Sequence, residues 1–209
     1  MSFARGFAEQ LALPNGWAGR LLGKAMDLAN RGPTRLAVEL LDPRPGQEIL
    51  DAGCGTGAAL AKVLGRTDCR VTGIDPSRTM LKAAERRLGR EWRDARASLH
   101  CAGLESLPFA DATFDGALVL NVLYFCDQEG QMLANLKRVL KPGGRLVAYV
   151  THRETMQNWP FARAGLHRLF DERELVDLLA DGGFARGRIS VHRVAVTRSV
   201  KGLLAVAER

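Results

Sequence analysis

Apolar residues in this chain fall into short dense runs separated by stretches in which they recur every three or four positions. The dense runs Glu48-Ile-Leu-Asp51, Arg70-Val-Thr-Gly-Ile-Asp75, Ser98 to Ala102, Asp115-Gly-Ala-Leu-Val-Leu120 and Arg145 to Val150 each predict a strand. The fourth is apolar on both faces, the mark of a central parallel strand. Between these runs, Ala58 to Leu64 predicts a helix. Pro76-Ser77 opens another, with Ser77 as N-cap and Met80, Leu81, Ala84 and Leu88 on the buried face. Asp127 to Leu140 predicts a third, with Met132, Leu133, Leu136, Val139 and Leu140 at helical spacing, stopped by Lys141-Pro-Gly-Gly144. A further helix is predicted from about Glu172 to Ala180, closed by Gly182-Gly183. Two late runs, Arg188 to Val196 and Gly202 to Ala207, lie too close together for a helical crossover and should pair antiparallel. The expected fold class is α/β, a seven-stranded mostly parallel sheet with helices on both faces and a C-terminal antiparallel hairpin. The domain proper is expected over 45–209, preceded by a helical segment over 1–44.

Composition narrows the possibilities without redrawing this picture. With 209 residues, 46% hydrophobic and 25% charged, the chain can bury one sizeable core. No apolar run approaches the length of a membrane span, and the N-terminus lacks the apolar core of a secretory signal. Cys54, Cys69, Cys101 and Cys126 form no CxxC pair, and His100, His152, His167 and His192 show no metal-ligand spacing. No metal is expected, and reduced thiols point to the cytoplasm. The net charge of +7 is partly concentrated between Lys82 and Arg96, where six basic residues face three acidic ones. Helical spacing makes that stretch a solvated face with internal ion pairs. A single aromatic, Trp92, interleaves with these arginines, too little for a stacking platform, which argues against nucleic acid as a partner.

The candidate chemistry lies at the ends of the first two strands. Asp51 runs into Gly53-Cys-Gly-Thr-Gly57, where glycines allow a sharp turn and a close backbone approach to a ligand. The following helix offers free N–H groups at its start. Asp75, twenty-two positions after Gly53, closes the second strand and can accept hydrogen bonds from both hydroxyls of a ribose. The same residues also satisfy a loose dinucleotide fingerprint, through Gly53, Gly55 and Ala58. Asp51 favours a ligand with a cationic amino-acid group, because a carboxylate beside the turn would repel a pyrophosphate. The terminal hairpin has no role in an ordinary dinucleotide half-domain.

Ile49-Leu-Asp-Ala-Gly-Cys-Gly-Thr-Gly57 resembles the first motif of class I S-adenosylmethionine-dependent methyltransferases, and Val71-Thr-Gly-Ile-Asp75 with Ser77 and Met80 resembles their second. Leu107-Pro-Phe-Ala-Asp-Ala-Thr-Phe-Asp115 and Leu136-Lys-Arg-Val-Leu-Lys-Pro-Gly-Gly-Arg-Leu146 are similar to the segments entering the fourth and fifth strands. The match runs in order from about 45 to 150 and is most similar to the subgroup of quinone and other small-molecule methyltransferases. This resemblance implies a Rossmann-like fold, S-adenosylmethionine as cofactor and a small-molecule substrate. It also implies that Asp51 serves the methionine amino group and that Gly53, Cys54 and Gly55 line methionine and ribose. Asp75 would bind the ribose hydroxyls, with Pro76 beside it, and Met80 would pack on the adenine. Leu104 and Glu105 would lie at the adenine edge and Asn121 at the methionine portion. Gly103 stands where the family usually has an acid, which leaves the adenine amino contact to Glu105.

Each assignment has a plainer alternative. Cys54 fits a small-residue position in the turn better than a nucleophile; Met80 suits a core; Asn121 suits a strand end; Asp111 and Asp115 suit a turn. His152, after the fifth strand, is the candidate general base, and Tyr124 a candidate for orienting the acceptor. In the N-terminal segment Trp17 and Arg20 could line the acceptor cavity beneath a lid. The neighbouring Leu21, Leu22, Ala25, Met26 and Leu28 equally suit a helix packed on the domain or in peripheral contact with a membrane. Methylation of RNA or protein, a non-catalytic cofactor-binding module and a nicotinamide-dependent oxidoreductase stay open beside small-molecule methylation. Oligomeric state is not written in the pattern.

Overall fold

In the computed structural model, which describes residues 23, 26–126, 130–159, 162 and 167–209, seven strands form one sheet in the order β3-β2-β1-β4-β5-β7-β6. These are β1 (Glu48–Ala52), β2 (Arg70–Ile74), β3 (Ala97–His100), β4 (Phe114–Leu120), β5 (Leu140–Thr151), β6 (Ile189–Ala195) and β7 (Lys201–Glu208). β1 pairs parallel with both β2 and β4, while β7 runs antiparallel between β5 and β6. The mostly parallel sheet with its closing hairpin is therefore as expected.

Alternate residues of the central strands enter two separate cores, which is why those strands read as unbroken apolar runs. Ile49, Val71, Leu118 and Val147 meet helices α1 (Arg31–Leu41), α2 (Ala58–Leu64) and the end of α3 (Arg78–Leu88). Leu50, Ile74, Ala117, Val119 and Ala148 meet the opposite layer, α5 (Gln131–Val139) and α7 (Glu172–Asp181). The short α4 (Arg90–Arg93) brings Trp92 to the first core and α6 (Arg153–Met156) brings Met156 to the second. α1 contributes Ala37, Val38 and Leu41 to the first core, so it belongs to the body of the domain.

Several boundaries move for identifiable reasons. Ser77 caps α3 as expected, its hydroxyl accepting from Met80 N at 3.3 Å, but Leu81 is only half-buried. The Lys82–Arg96 stretch breaks at Gly89, whose φ is +51°. Its Arg90–Asp94 and Arg96–Glu91 pairs are internal, whereas Arg87 reaches out to Asp27. Lys141-Pro-Gly-Gly144 does end α5, yet β5 already begins at Leu140, which pairs with Phe114. The ladder resumes at Gly116↔Arg145, so the Pro-Gly-Gly segment bulges out of the strand. Pro142 has no N–H to give a ladder, and Gly143 takes φ +76°.

Candidate active site

The chain leaves β1 toward β2 and β3 on one side and returns to β4 and β5 on the other. Strand order thus reverses between β1 and β4, the position where open α/β sheets bind ligands. A cavity of about 350 Å³ lies there, within the range of small-molecule sites. The carboxyl ends of four strands supply its wall: Asp51 and Gly53 to Thr56 after β1, Asp75 and Pro76 after β2, Gly103 to Glu105 after β3, and Leu120 to Val122 from β4.

The glycine turn is locked to the end of β2, since Gly53 N and Cys54 N both donate to Ile74 O, at 2.8 and 3.0 Å. Gly53 has φ +78°, and a β-carbon there would collide with Val122 Cγ2, so two constraints select glycine. Gly55 N donates to Asp75 Oδ2 at 2.9 Å, and Ser77 N to Asp75 Oδ1 at 2.8 Å. Each Asp75 oxygen keeps a lone pair for a ligand. Burial raises the Asp75 pKa above the usual carboxylate value, while these two N–H bonds pull it down.

Asp51 is 2% exposed, and among the described residues no group donates a hydrogen bond to its carboxylate. Burial, and then repulsion from Asp75, push its pKa up to about 7. A carboxylate buried without a partner on a cavity wall is matched by a ligand that brings a cation. The Cys54 thiol is held well above its usual pKa by burial and by Asp51 and Asp75, which keeps it protonated and unsuited to nucleophilic work.

Met80, Leu104 and Glu105 border the cavity together with Pro76, which brings the residues expected around one planar ring into a single region. The Glu105 carboxylate folds back into the space that a side chain at Gly103 would fill. Asn135 Nδ2 holds Glu105 O at 2.6 Å, and Arg138 holds Phe109 O and Leu107 O at 2.8 and 3.0 Å, tethering this loop to α5. Asn121 lines the cavity with φ +60°, a strained backbone for a non-glycine residue.

Tyr124 and His152 are not among the lining residues. The buried Tyr124 hydroxyl donates to Asn121 Oδ1 at 3.1 Å and accepts from Thr151 N, so it braces Asn121 from behind. Burial lifts its pKa above the ordinary tyrosine value. His152 is 2% exposed; its Nδ1 accepts from Glu154 N at 3.0 Å, while Nε2 lies 3.3 Å from Glu172 Oε2 and 3.1 Å from Arg193 Nη2. That ring caps α6 and joins a surface ion cluster; it does not face the cavity. Trp17 and Arg20 lie outside the described residues.

Sequence reasoning missed Gly23, Asp27, Asn30 and Thr34, which with Met26 form another wall, and also Thr56 and Phe125. The spacing 23, 26, 27, 30, 34 was the available signal, because it places these residues on one helical face. Asp115, expected in a turn, accepts from Glu48 N at 2.9 Å and from Lys141 Nζ at 2.8 Å, fastening β1 to the bulge of β5.

Among the described residues there is no helix long and apolar enough to cross a membrane, and no cluster of His, Cys, Asp or Glu able to hold a metal. Residues 50–148 match the model of a methyltransferase domain. The chain is 33% identical over 174 residues to the O-methyltransferase resE of Aspergillus sclerotiorum, covering 80% of this chain and 66% of that protein. It is 31% identical over 127 residues to 24-methylenesterol C-methyltransferase 3 of Arabidopsis thaliana, covering 61% and 35%. The chain thus spans two thirds or less of the length of these curated relatives. Its fold superposes with a TM-score of 0.70 on 1,6-didemethyltoxoflavin-N1-methyltransferase of Burkholderia thailandensis, solved with bound 1,6-didemethyltoxoflavin and S-adenosylhomocysteine. That match has 23% sequence identity and covers 100% of this chain and 91% of the other. By the matched domain and the identity to these relatives, the chain belongs to the class I S-adenosylmethionine-dependent methyltransferases.

Proposed function

We propose that this protein transfers a methyl group from S-adenosylmethionine to a small, uncharged, largely apolar acceptor. The observation that carries the reading is the pair of carboxylates flanking the glycine turn, one buried with no donor among the described residues and one accepting a single backbone hydrogen bond on each oxygen. These residues fit the cofactor's chemistry. Asp51 would take its ammonium group, Asp75 its ribose hydroxyls, and Met80, Leu104 and Pro76 its adenine, with the Glu105 carboxylate at the adenine edge. When bound, S-adenosylmethionine supplies a methyl group already activated by its sulfonium, for in-line displacement.

The chain's own residues bind, orient and exclude water. Asn121, braced by Tyr124, fixes the end of β4 against the cavity. Leu120, Val122, Phe125 and Met132 offer an apolar wall to the acceptor. The titratable groups among the described lining residues are Asp27, Asp51, Asp75, Glu105 and Cys54, with no Lys, Arg or His. Even with Asp27 balanced by Arg87, the remaining three carboxylates disfavour an anionic acceptor. They also favour an acceptor whose own acidity or lone pair suffices, without a dedicated protein base. The relatives carry O-, C- and N-transfer in their names, so the acceptor atom is left to experiment.

The net charge of +7 favours a second reading, an RNA or protein substrate, but the acidic cavity wall opposes it. We place the protein in a reducing compartment such as the cytoplasm, in keeping with four free cysteines, and assign the lid role to residues preceding Arg31. The test is transfer of labelled methyl from S-adenosylmethionine to a panel of neutral phenols, enols and amines beside carboxylated counterparts and total RNA. Turnover confined to neutral acceptors is expected. Preference for carboxylated acceptors or RNA would overturn the assignment of acceptor class.

A further inference from the structure

Beside the glycine turn, the cavity wall is helical: Gly23 and residues 26–29 are in helical conformation. The helix turns into α1 at Asn30, where Asn30 N and Nδ2 both donate to Met26 O at 2.9 Å and Thr34 N donates to Asn30 O at 2.9 Å. This wall sits directly on the glycine turn. A β-carbon at Gly23 would come within 2.9 Å of Thr56 Cγ2 and 3.3 Å of Met80 Sδ, so the wall reaches both the turn and the ring-binding region.

One closed set of polar contacts ties it down. Thr56 Oγ1, within the turn, lies 2.7 Å from both Asp27 oxygens and donates its single proton to that carboxylate. The same oxygen accepts from Arg87 Nη1 at 2.8 Å, while Arg87 Nη2 donates to Asp27 Oδ2 at 2.6 Å. Three elements meet in this ring: the N-terminal wall, the glycine turn and the last turn of α3. The Asp27 and Arg87 side chains are 23% and 33% exposed, so the pair borders solvent and is open to screening by salt. Arg87 also balances a carboxylate that would otherwise add a fourth negative charge to the cavity wall.

We propose that Asp27 and Arg87 are positioning residues that latch the wall formed by Gly23 and residues 26–30 onto the cofactor turn and thereby set how long the adenosyl ligand remains in the cavity. The inference rests on the cofactor assignment made above. A ligand held by Asp51 and Asp75 lies between those strand ends and this wall, and opening the wall uncovers it.

The test measures the dissociation rate of S-adenosylhomocysteine by stopped-flow displacement, in the native protein and in Arg87→Gln, Asp27→Asn and the double variant. Each single variant should release the ligand about fivefold faster, the size of a half-buried charge-assisted contact. The double variant should be no faster than either single, because the ring fails as one unit. Arg87→Lys, with the charge but without the fork, should fall between. Raising salt from 0.1 to 1 M should speed release from the native protein and leave Arg87→Gln unaffected, a signature that simple loss of folding stability does not produce. Rates within twofold of native in both variants, or a salt effect that survives in Arg87→Gln, would overturn the latch while leaving the cofactor assignment intact. Should a variant fail to fold, salt-independent release from the native protein overturns it equally. A native protein that binds no S-adenosylhomocysteine removes both.

Discussion

Replacing Asp51 by Asn should stabilise the ligand-free fold at alkaline pH while weakening its grip on the cofactor. In the folded protein the Asp51 pKa is raised from 3.8 to about 7, by burial first and by Asp75 second. The unfolded chain therefore gives up this proton near pH 4 and the folded chain only near pH 7. Between those values the folded state binds the extra proton, so Asp51's contribution falls as pH rises, and the loss is complete above about pH 7. A difference of about 3 units at 1.36 kcal/mol each gives a penalty of up to about 4 kcal/mol at pH 8. Asn, close in shape to the protonated acid, escapes that penalty. Urea unfolding of both proteins should show nearly equal stability at pH 4 and a gap in favour of Asp51→Asn that opens through pH 7. A gap of the same size at pH 4 and pH 8 would refute the reasoning, because it would come from packing rather than ionisation.

The same group predicts that native affinity for S-adenosylhomocysteine, measured by calorimetry, falls about tenfold from pH 8 to pH 6, as a carboxylate with a pKa of about 7 passes from mostly ionised to mostly protonated. Asp51→Asn should show a weaker, flat profile over that range. Gly53→Ala should abolish cofactor binding and lower thermal stability, since the new methyl meets Val122 at a φ of +78°. An affinity within threefold of native would contradict the turn geometry. Tyr124→Phe should cost about 1–3 kcal/mol in urea unfolding by leaving Thr151 N–H without its acceptor and Asn121 without its brace.

The sheet was legible in the chain because its information is local. β1, β2, α2 and the terminal hairpin are set by runs of apolar residues between glycines, and the glycine turn by a contiguous motif. Asp75 could be placed because a strand end has only one residue that leads into the next capped helix. The misplacements have the opposite character. His152 follows β5 directly, yet its ring is turned away by Glu172 and Arg193, partners 20 and 41 residues distant that no local pattern reveals. Asp27, Asn30 and Thr34 form the polar face of an amphipathic segment, and a polar face toward a ligand cavity has the same periodicity as one toward water. Arg87 shows the same ambiguity, one arginine among several at helical spacing whose partner is 60 residues away.

The central claim, that two strand-end carboxylates around one glycine turn hold an adenosyl ligand by its ammonium group and ribose, is tested most directly by titrating S-adenosylhomocysteine into the native protein and into Asp75→Ala in a calorimeter. The account predicts one site per chain in the native protein and at least ~10-fold weaker binding in the variant, the loss of charge-assisted bonds of about 1.5–3 kcal/mol each. Equal affinity in the two proteins, or none in either, would contradict it.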